Sequence, residues 1–403
     1  MKAVALSVAE ALRRILDAVE PTAAETVPIE RAAGRVLAAP LSARLTQPPF
    51  DASAMDGYAV RAADVARLPA RLGVVGRAAA GHPYGGTVET GQAVRIFTGA
   101  PVPRGADAIV IQEYTVGDGA CVEVREGAPD PAHIRPRGFD FREGEVLLLR
   151  GRRLGPREIA LAAAMGYGDV PVHRRPLVAI VATGDELVHP GQPPGPGAIV
   201  SSNHLGVAAL AAQAGAEPRQ LGIARDNRES LERHLERASG ADILVTIGGA
   251  SVGESDLVAP VLEARGMTLA FWKIDMRPGK PLMFGRLGAQ YVLGLPGNPV
   301  SALICGRVFV VPLIRALLGL PKQDPAGRRA YLAEPIEANG RRQHYMRVGL
   351  RVRPEGTLEA FQVRSQDSSL LAPLASADAL LVRPPNAPGL PAGAEVSVLL
   401  LDF

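Results

Sequence analysis

Between about residues 176 and 320, short apolar runs alternate with amphipathic stretches. "LVAIVAT" (177–183) is continuously apolar, as expected of a strand buried on both faces. "SSNHLGVAALAAQAG" (201–215) follows and reads as a helix that opens at a polar cap and stops at Gly215. The pair recurs as "PRQLGIA" (218–224) with "RESLERHLERA" (228–238), and as "DILVTI" (242–247) with "SDLVAPVLEARG" (255–266). Alternating strands and helices build right-handed βαβ units, so the pattern predicts a doubly wound parallel sheet with helices on both faces. "TLAFWKI" (268–274), a turn at "RPGKP", and then "PLMFG" (281–285) and "AQYVLGL" (289–295), joined by a tight loop, continue the strands. "PGNPVSALICGRV" then opens a helix, with Asn298 as an accepting cap and Pro299 at the first position.

The flanking regions carry other periods. Residues 46–142 hold short β-like runs such as "RIFTGAPVP" (95–103) and "ADAIVIQEY" (106–114), cut by Gly and Pro, which predicts a small β-rich domain. Residues 143–175 return to a helix, "GPREIALAAAMG". The first twenty residues read as an amphipathic helix, with Ser7 and Glu10 at capping-box spacing and Val8, Leu12, Ile15, Leu16 and Val19 on one stripe. Beyond Lys322, "QHYMRVGLRVR", "LEAFQVR", "ALLVRP" and "AEVSVLLL" alternate with period two and predict a small β-barrel or sandwich.

Composition narrows the functional classes. With 403 residues, 47% of them apolar, the chain predicts a globular protein of several domains. Its 44 basic and 41 acidic residues leave a net charge of +3, too little to point to nucleic acid. Two cysteines and seven scattered histidines do not make a structural zinc site, and Cys305, inside an apolar run, reads as a small buried hydrophobe. Glu10, Arg13, Arg14 and Asp17 interrupt any signal-peptide core, while Arg307, Pro312 and Arg315 make 300–318 a poor membrane span. The expectation is a cytoplasmic protein with no membrane partner. Lysine is rare: only Lys2, Lys273, Lys280 and Lys322, two of them inside "FWKIDMRPGK". A compact ammonium suits an anion that a flat guanidinium would crowd.

Open parallel sheets bind ligands beyond the carboxyl ends of their strands, where helix N-termini gather. Each such loop here is chemically equipped. "TGDEL" brings Asp185 and Glu186, "RDN" brings Asp226, and "GGASVGESD" brings Gly248, Gly249, Ser251 and Gly253 with Glu254 and Asp256. "KIDMRPGK" adds Lys273, Arg277 and Lys280. Carboxylates suit Mg²⁺, clustered cations suit an oxyanion, and bare glycine backbone admits phosphate. Asp226 on its own reads better as a helix N-cap than as a ligand. In the C-terminal region, "RRQHYMR" and "RSQDSS" gather arginines and serines that could complete an anion site.

Taken in order, "DASAMDGYAV", "FTGAPVPRGADAIVIQE", "RPRGFDFREGEVLL", "ATGDEL", "IGGASVGESD", "MRPGKP", "LPGNPVS" and "RSQDSS" resemble the MoeA family of molybdopterin molybdenumtransferases, whose eukaryotic counterpart is the gephyrin E domain. The resemblance spans nearly the whole chain, and "SAMDGYAV" with "FTGAPVPRGADA" is its most specific part. It implies a homodimer of four-domain chains: an N-terminal linker domain from 1–45 and 143–175, an inserted β-rich domain at 46–142, a MogA-like molybdopterin-binding α/β domain at 176–320, and a C-terminal β-barrel at 321–403. It further implies Mg²⁺-dependent transfer of molybdenum from molybdate to adenylylated molybdopterin, with release of AMP.

By the same resemblance Asp56, Thr98, Asp140, Glu186, Asp226 and Asp256 are catalytic, and Glu186 with Asp256 holds the metal. The resemblance also implies that Lys273, Arg277, Lys280, Pro296, Pro299, Arg347 and Ser368 bind substrate beside the glycine loop. A MogA-like adenylyltransferase is implied as a partner. Two other readings use the same motifs: a MogA-like adenylyltransferase, against which the two additional domains count, and a gephyrin-like scaffold without catalysis. Asp367 stands where the family pattern has glycine, beside Ser368. An extra carboxylate there alters the field at an oxyanion pocket, so Asp367→Gly is expected to change molybdate affinity in calorimetric titration. Equal affinities in the two proteins would remove the effect.

Overall fold

The computed structural model describes residues 5–127, 129–249, 257–322 and 327–401. They form two compact units, one made of residues up to 25, 34–38 and from 171 onward, the other of 26–33 and 39–170.

The first unit opens with helix α1 (Val8–Leu16). Ser7 Oγ accepts from Glu10 N at 3.1 Å, so the predicted cap is present. The Glu10 carboxylate turns instead to Arg13 and Arg14, at 2.9 and 2.7 Å. Val8, Ala11, Ile15 and Leu16 are buried, which confirms the apolar stripe.

The second unit is built on a six-stranded sheet: β1 (Gly57–Val60), β2 (Ala70–Ala78), β3 (Gln92–Ile96), β4 (Ala108–Ile111), β5 (Thr115–Gly117) and β6 (Cys121–Val124). Their order is β4-β1-β3-β2-β6-β5, and only β2 and β3 run parallel. Alternate residues feed two clusters, Val60, Ala93 and Val110 on one face and Ala59, Val94 and Ile109 on the other. The predicted run 95–103 is a strand only as far as Ile96, because Gly99 (φ +82°) and the prolines after it turn the chain. Gly57 has no room for a side chain: a Cβ there would lie 2.0 Å from the Val110 carbonyl oxygen. Helix α2 (Pro156–Ala164) starts where Gly155 N donates to Glu158 Oε2 at 3.0 Å.

In the first unit the central sheet consists of β7 (Leu177–Thr183), β8 (Glu217–Ala224), β9 (Ile243–Ile247), β10 (Thr268–Trp272), β12 (Met283–Leu287) and β13 (Gln290–Leu295); a two-residue strand, β11 (Met276–Arg277), lies outside it. The order is β8-β7-β9-β13-β12-β10. The first four strands are parallel, as the periodicity predicts. Only β12 runs against them, because the tight loop expected there, at Gly288, folds β12 and β13 into an antiparallel hairpin. β10 is antiparallel to β12 and therefore points the same way as the parallel four, so its carboxyl end shares their rim.

Helices α3 (Asn203–Ala214), α6 (Pro299–Cys305) and α7 (Val311–Leu317) pack with α1 on one face, and α4 (Arg228–Glu236) and α5 (Val258–Ala264) on the other. β7 serves both cores, with Val178 and Ile180 on one side and Ala179 and Val181 on the other. A π-helical segment, Gly306–Val310, joins α6 to α7. Pro299–Leu317 is long and apolar enough to cross a membrane, yet 83% of its apolar window is buried inside the protein.

The C-terminal strands are β14 (Arg328–Leu332), β15 (Gln343–Val352), β16 (Leu358–Gln362), β17 (Ala379–Arg383) and β18 (Glu395–Leu400). They pair in the order β15-β16-β14-β18-β17, and β17 returns to β15, which closes a five-stranded barrel. A short helix, α8 (Leu371–Ala375), precedes β17.

Because backbone cannot yield as a flexible side chain does, Gly57→Ala is expected to destabilise the β-rich unit by about 3 kcal/mol or more. Denaturant unfolding measures this, and an unchanged midpoint would contradict the packing described.

Candidate active site

The loops at the carboxyl rim of the central sheet are held by one another. After β7 and β8, Asp185 N donates to Asp226 Oδ2 at 3.3 Å and Asp226 N donates to Asp185 Oδ1 at 3.2 Å. Arg225 Nη1 donates to the Asp185 carbonyl at 2.8 Å. Burial raises the pKa of Asp226, and the neighbouring Asp185 and Glu186 carboxylates raise it further. Asp226 is not the helix cap that its position suggests: Asn227 caps α4, its side chain accepting from Ser230 N at 2.9 Å. Glu186 is exposed on the same rim.

After β9, Gly248 (φ +93°) donates its N–H to the Leu295 carbonyl at 3.1 Å, and a Cβ there would stand 2.6 Å from the Thr183 carbonyl oxygen. Gly249 also has positive φ, at +58°. Ser251, Gly253, Glu254 and Asp256 lie outside the described residues. Among the described residues no three His, Cys, Asp or Glu side chains are arranged as a metal-ligand group.

The segment from β10 to β12 carries the positive charge. Lys273 sits at φ +108°, a region that costs a non-glycine residue roughly 1–3 kcal/mol. Its N–H donates to the Leu282 carbonyl at 3.0 Å, and Ile274 N donates to the Lys280 carbonyl at 3.1 Å. Lys273 is half-buried, whereas Arg277 and Lys280 are exposed. Among the described residues none of the three side chains has a hydrogen bond or an ion pair. The crest of the loop rests on Cys305: a Cβ at Gly279 (φ +105°) would lie 2.4 Å from its Sγ. Burial pushes the Cys305 thiol far up, so it is packing material, as expected.

β11 leaves this loop to join the barrel, where Met276 pairs with Gln343 and Arg277 with His344. His344 also pairs with Arg383 across β17. It is buried, and its pKa falls to about 4 because of that burial and then because of Arg277, Arg383, Arg342 and Arg347. The sequence reading missed this neutral histidine; "RRQHYMR" shows its basic neighbours but not its depth.

Arg347 is 1% exposed, with Nη1 donating to the Leu370 carbonyl at 3.2 Å and Nη2 to the Asp367 carbonyl at 3.0 Å. From this depth it shapes the loop that carries Ser368. Ser368 Oγ faces Asn298, whose Nδ2 donates to it at 3.0 Å, and the Ser368 carbonyl accepts from Val300 N at 3.1 Å. Asn298 is thus a cap by position but donates instead of accepting, a correction of its expected role. Pro296 is buried just before it, and Pro299 occupies the first turn of α6. The Asp367 carboxylate accepts from Ser369 N and Oγ at 2.8 and 2.7 Å, bonds that hold its pKa down and keep it charged.

In the β-rich unit, Thr98 donates both N–H and Oγ1–H to Asp56 Oδ1 at 2.8 Å, which lowers the Asp56 pKa. Asp140 is exposed and tied through its N–H to the Gln47 carbonyl at 3.0 Å.

Three family models cover the chain: the MoeA N-terminal region (domain I and II) matches residues 6–166, a probable molybdopterin binding domain matches 179–316, and the MoeA C-terminal region (domain IV) matches 329–401. A molybdopterin molybdenumtransferase from Nostoc sp. is 39% identical over 389 residues, covering 94% of this chain and 89% of that protein. The chain belongs to the MoeA family. The MoeA relatives include a molybdopterin molybdenumtransferase from Haemophilus influenzae, 35% identical over 381 residues and 94% of each chain. Among solved structures, the molybdopterin biosynthesis MoeA protein from Pyrococcus horikosii superposes with a TM-score of 0.85 at 32% identity, covering 99% of this chain and 100% of that one.

His344 makes the MoeA barrel acid-sensitive in a defined window. Its folded pKa lies below the ordinary 6.5, so its contribution is complete above about pH 6.5 and declines as pH falls toward about 4. The loss is at most about 3 kcal/mol, since one pKa unit corresponds to roughly 1.4 kcal/mol. In His344→Gln the slope of unfolding free energy against pH in that window should flatten by about one proton. Denaturant unfolding at several pH values checks this, and parallel profiles would refute it.

Proposed function

We propose that the chain inserts molybdenum from molybdate into adenylylated molybdopterin and releases AMP, in the presence of Mg²⁺. The observation that carries this reading is a rim with two opposite kinds of charge. Asp185, Glu186 and Asp226 crowd carboxylates at one group of loops. Lys273, Arg277 and Lys280 leave three cations without partners among the described residues on another.

Molybdate is a tetrahedral dianion, and this second loop, fixed at β11 to the barrel, can hold it against the Ser368 segment. The bare backbone at Gly248 and Gly249 leaves space for the phosphates of the other substrate. The acids fit a hard divalent cation, because its charge would offset the repulsion that lifts Asp226. Glu186 would hold it together with Asp256. When bound, Mg²⁺ would polarise the phosphoryl oxygen of the adenylate bond. The dithiolene of the pterin receives molybdenum, so no protein thiol is required. Asp56, Thr98 and Asp140 are assigned to the same reaction by family likeness. We further assign a homodimer in the cytoplasm, supplied with substrate by a MogA-like adenylyltransferase.

The test is AMP release from adenylylated molybdopterin with molybdate and Mg²⁺. Wild type should release AMP, while Glu186→Ala and Asp226→Asn, folded by circular dichroism, should be slower by about a hundredfold. Wild type that releases no AMP, or that makes the adenylylated substrate from ATP instead, would overturn the reading.

A further inference from the structure

The β-rich unit carries a basic pair that the proposed reaction does not use. Tyr58 on β1 is the register neighbour of Arg95 on β3, and Arg95 is the register neighbour of Arg77 on β2. Paired residues share a face of a sheet, so the three side chains form one row across three strands. Phe97, two residues beyond Arg95, stands on the same face next to Thr98.

Both guanidinium groups rest against the Phe97 ring, with Arg77 at 4.5 Å and Arg95 at 4.8 Å from its centroid, and Arg95 is 5.1 Å from the Tyr58 ring. Arg95 is fixed further by Nη1 donating to the Gly57 carbonyl at 2.9 Å and Nη2 to Gln112 Oε1 at 2.6 Å. Arg77 is exposed and, among the described residues, makes no hydrogen bond or ion pair. Arg95 helps to keep Asp56 ionised, but Asp56 Oδ1 already accepts two bonds from Thr98.

Like charges directly opposite each other on neighbouring strands destabilise a sheet. Here they are also held in place by aromatic rings and by hydrogen bonds at Arg95, so neither can simply swing apart. Two guanidinium groups on one face of a sheet, beside the same ring, can share the charge of a tetrahedral oxyanion. We infer that Arg77 and Arg95 form a binding site for a tetrahedral oxyanion on the face of this sheet, with Phe97 as the platform that orients both. Phosphate, the phosphate of a nucleotide and molybdate share this chemistry. The inference stands whether or not the transfer reaction is correct, because it concerns binding alone.

The experiment uses the full-length protein with Lys273→Gln, Arg277→Gln and Lys280→Gln introduced, so that the other cationic loop does not contribute. Inorganic phosphate, AMP and molybdate are titrated separately by calorimetry, which identifies the preferred source. Arg77→Gln should weaken the preferred anion by about tenfold, the loss of a charged hydrogen-bond donor. Arg77→Lys should restore part of it. Without anion, Arg77→Gln should melt at a higher temperature than its parent, because the repulsion is gone, whereas a given anion concentration should raise the melting temperature of the parent more than that of the variant. No anion binding by the parent, or equal binding after Arg77→Gln, would overturn the proposal and leave Arg77 as aromatic cover.

Discussion

Two main-chain pairings, Met276 with Gln343 and Arg277 with His344, determine where the positive loop of the α/β sheet can be. A ten-residue excursion between two strands is ordinarily free to adopt many conformations. Here a two-residue strand inside it is hydrogen-bonded into the barrel, and the buried Cys305 lies under its crest. Lys273 and Lys280 are therefore offered from a fixed base, one of them at a backbone angle that only a firmly held segment retains. A second attachment, Asn298 and Val300 to Ser368, ties another barrel loop to the start of α6. The barrel acts as a brace for the rim.

The charges follow from that brace. At the acidic loops, mutual N–H donation between Asp185 and Asp226 brings like charges together at the expense of raising one pKa. At the basic loop, Arg277 has as its register partner a histidine, His344, that burial, and then the surrounding arginines, keep neutral. Neither arrangement lowers the energy of the protein alone, and strain of that kind is characteristic of a binding site.

Much of this was legible in the sequence. The βαβ rhythm located β7, β8 and β9 within a residue at each end, since buried parallel strands must be continuously apolar. The motifs at their ends marked the rim, and family likeness joined them. Three things were not legible. The depth of Arg347 and His344 is a property of barrel closure, and local sequence shows only that they are basic. Asn298 gave its position correctly and its partner wrongly, because that partner, Ser368, is seventy residues away. The two-residue β11 is too short for any period to reveal.

Cys305 has one more implication. Its sulfur is the floor on which the Gly279 turn stands, so the height of the cationic crest is set by the volume of a core side chain that carries no charge and meets no solvent. Evolution can thus tune the height of the three cations from below, by exchanging one apolar residue for another of different bulk, while every charged group above keeps its identity.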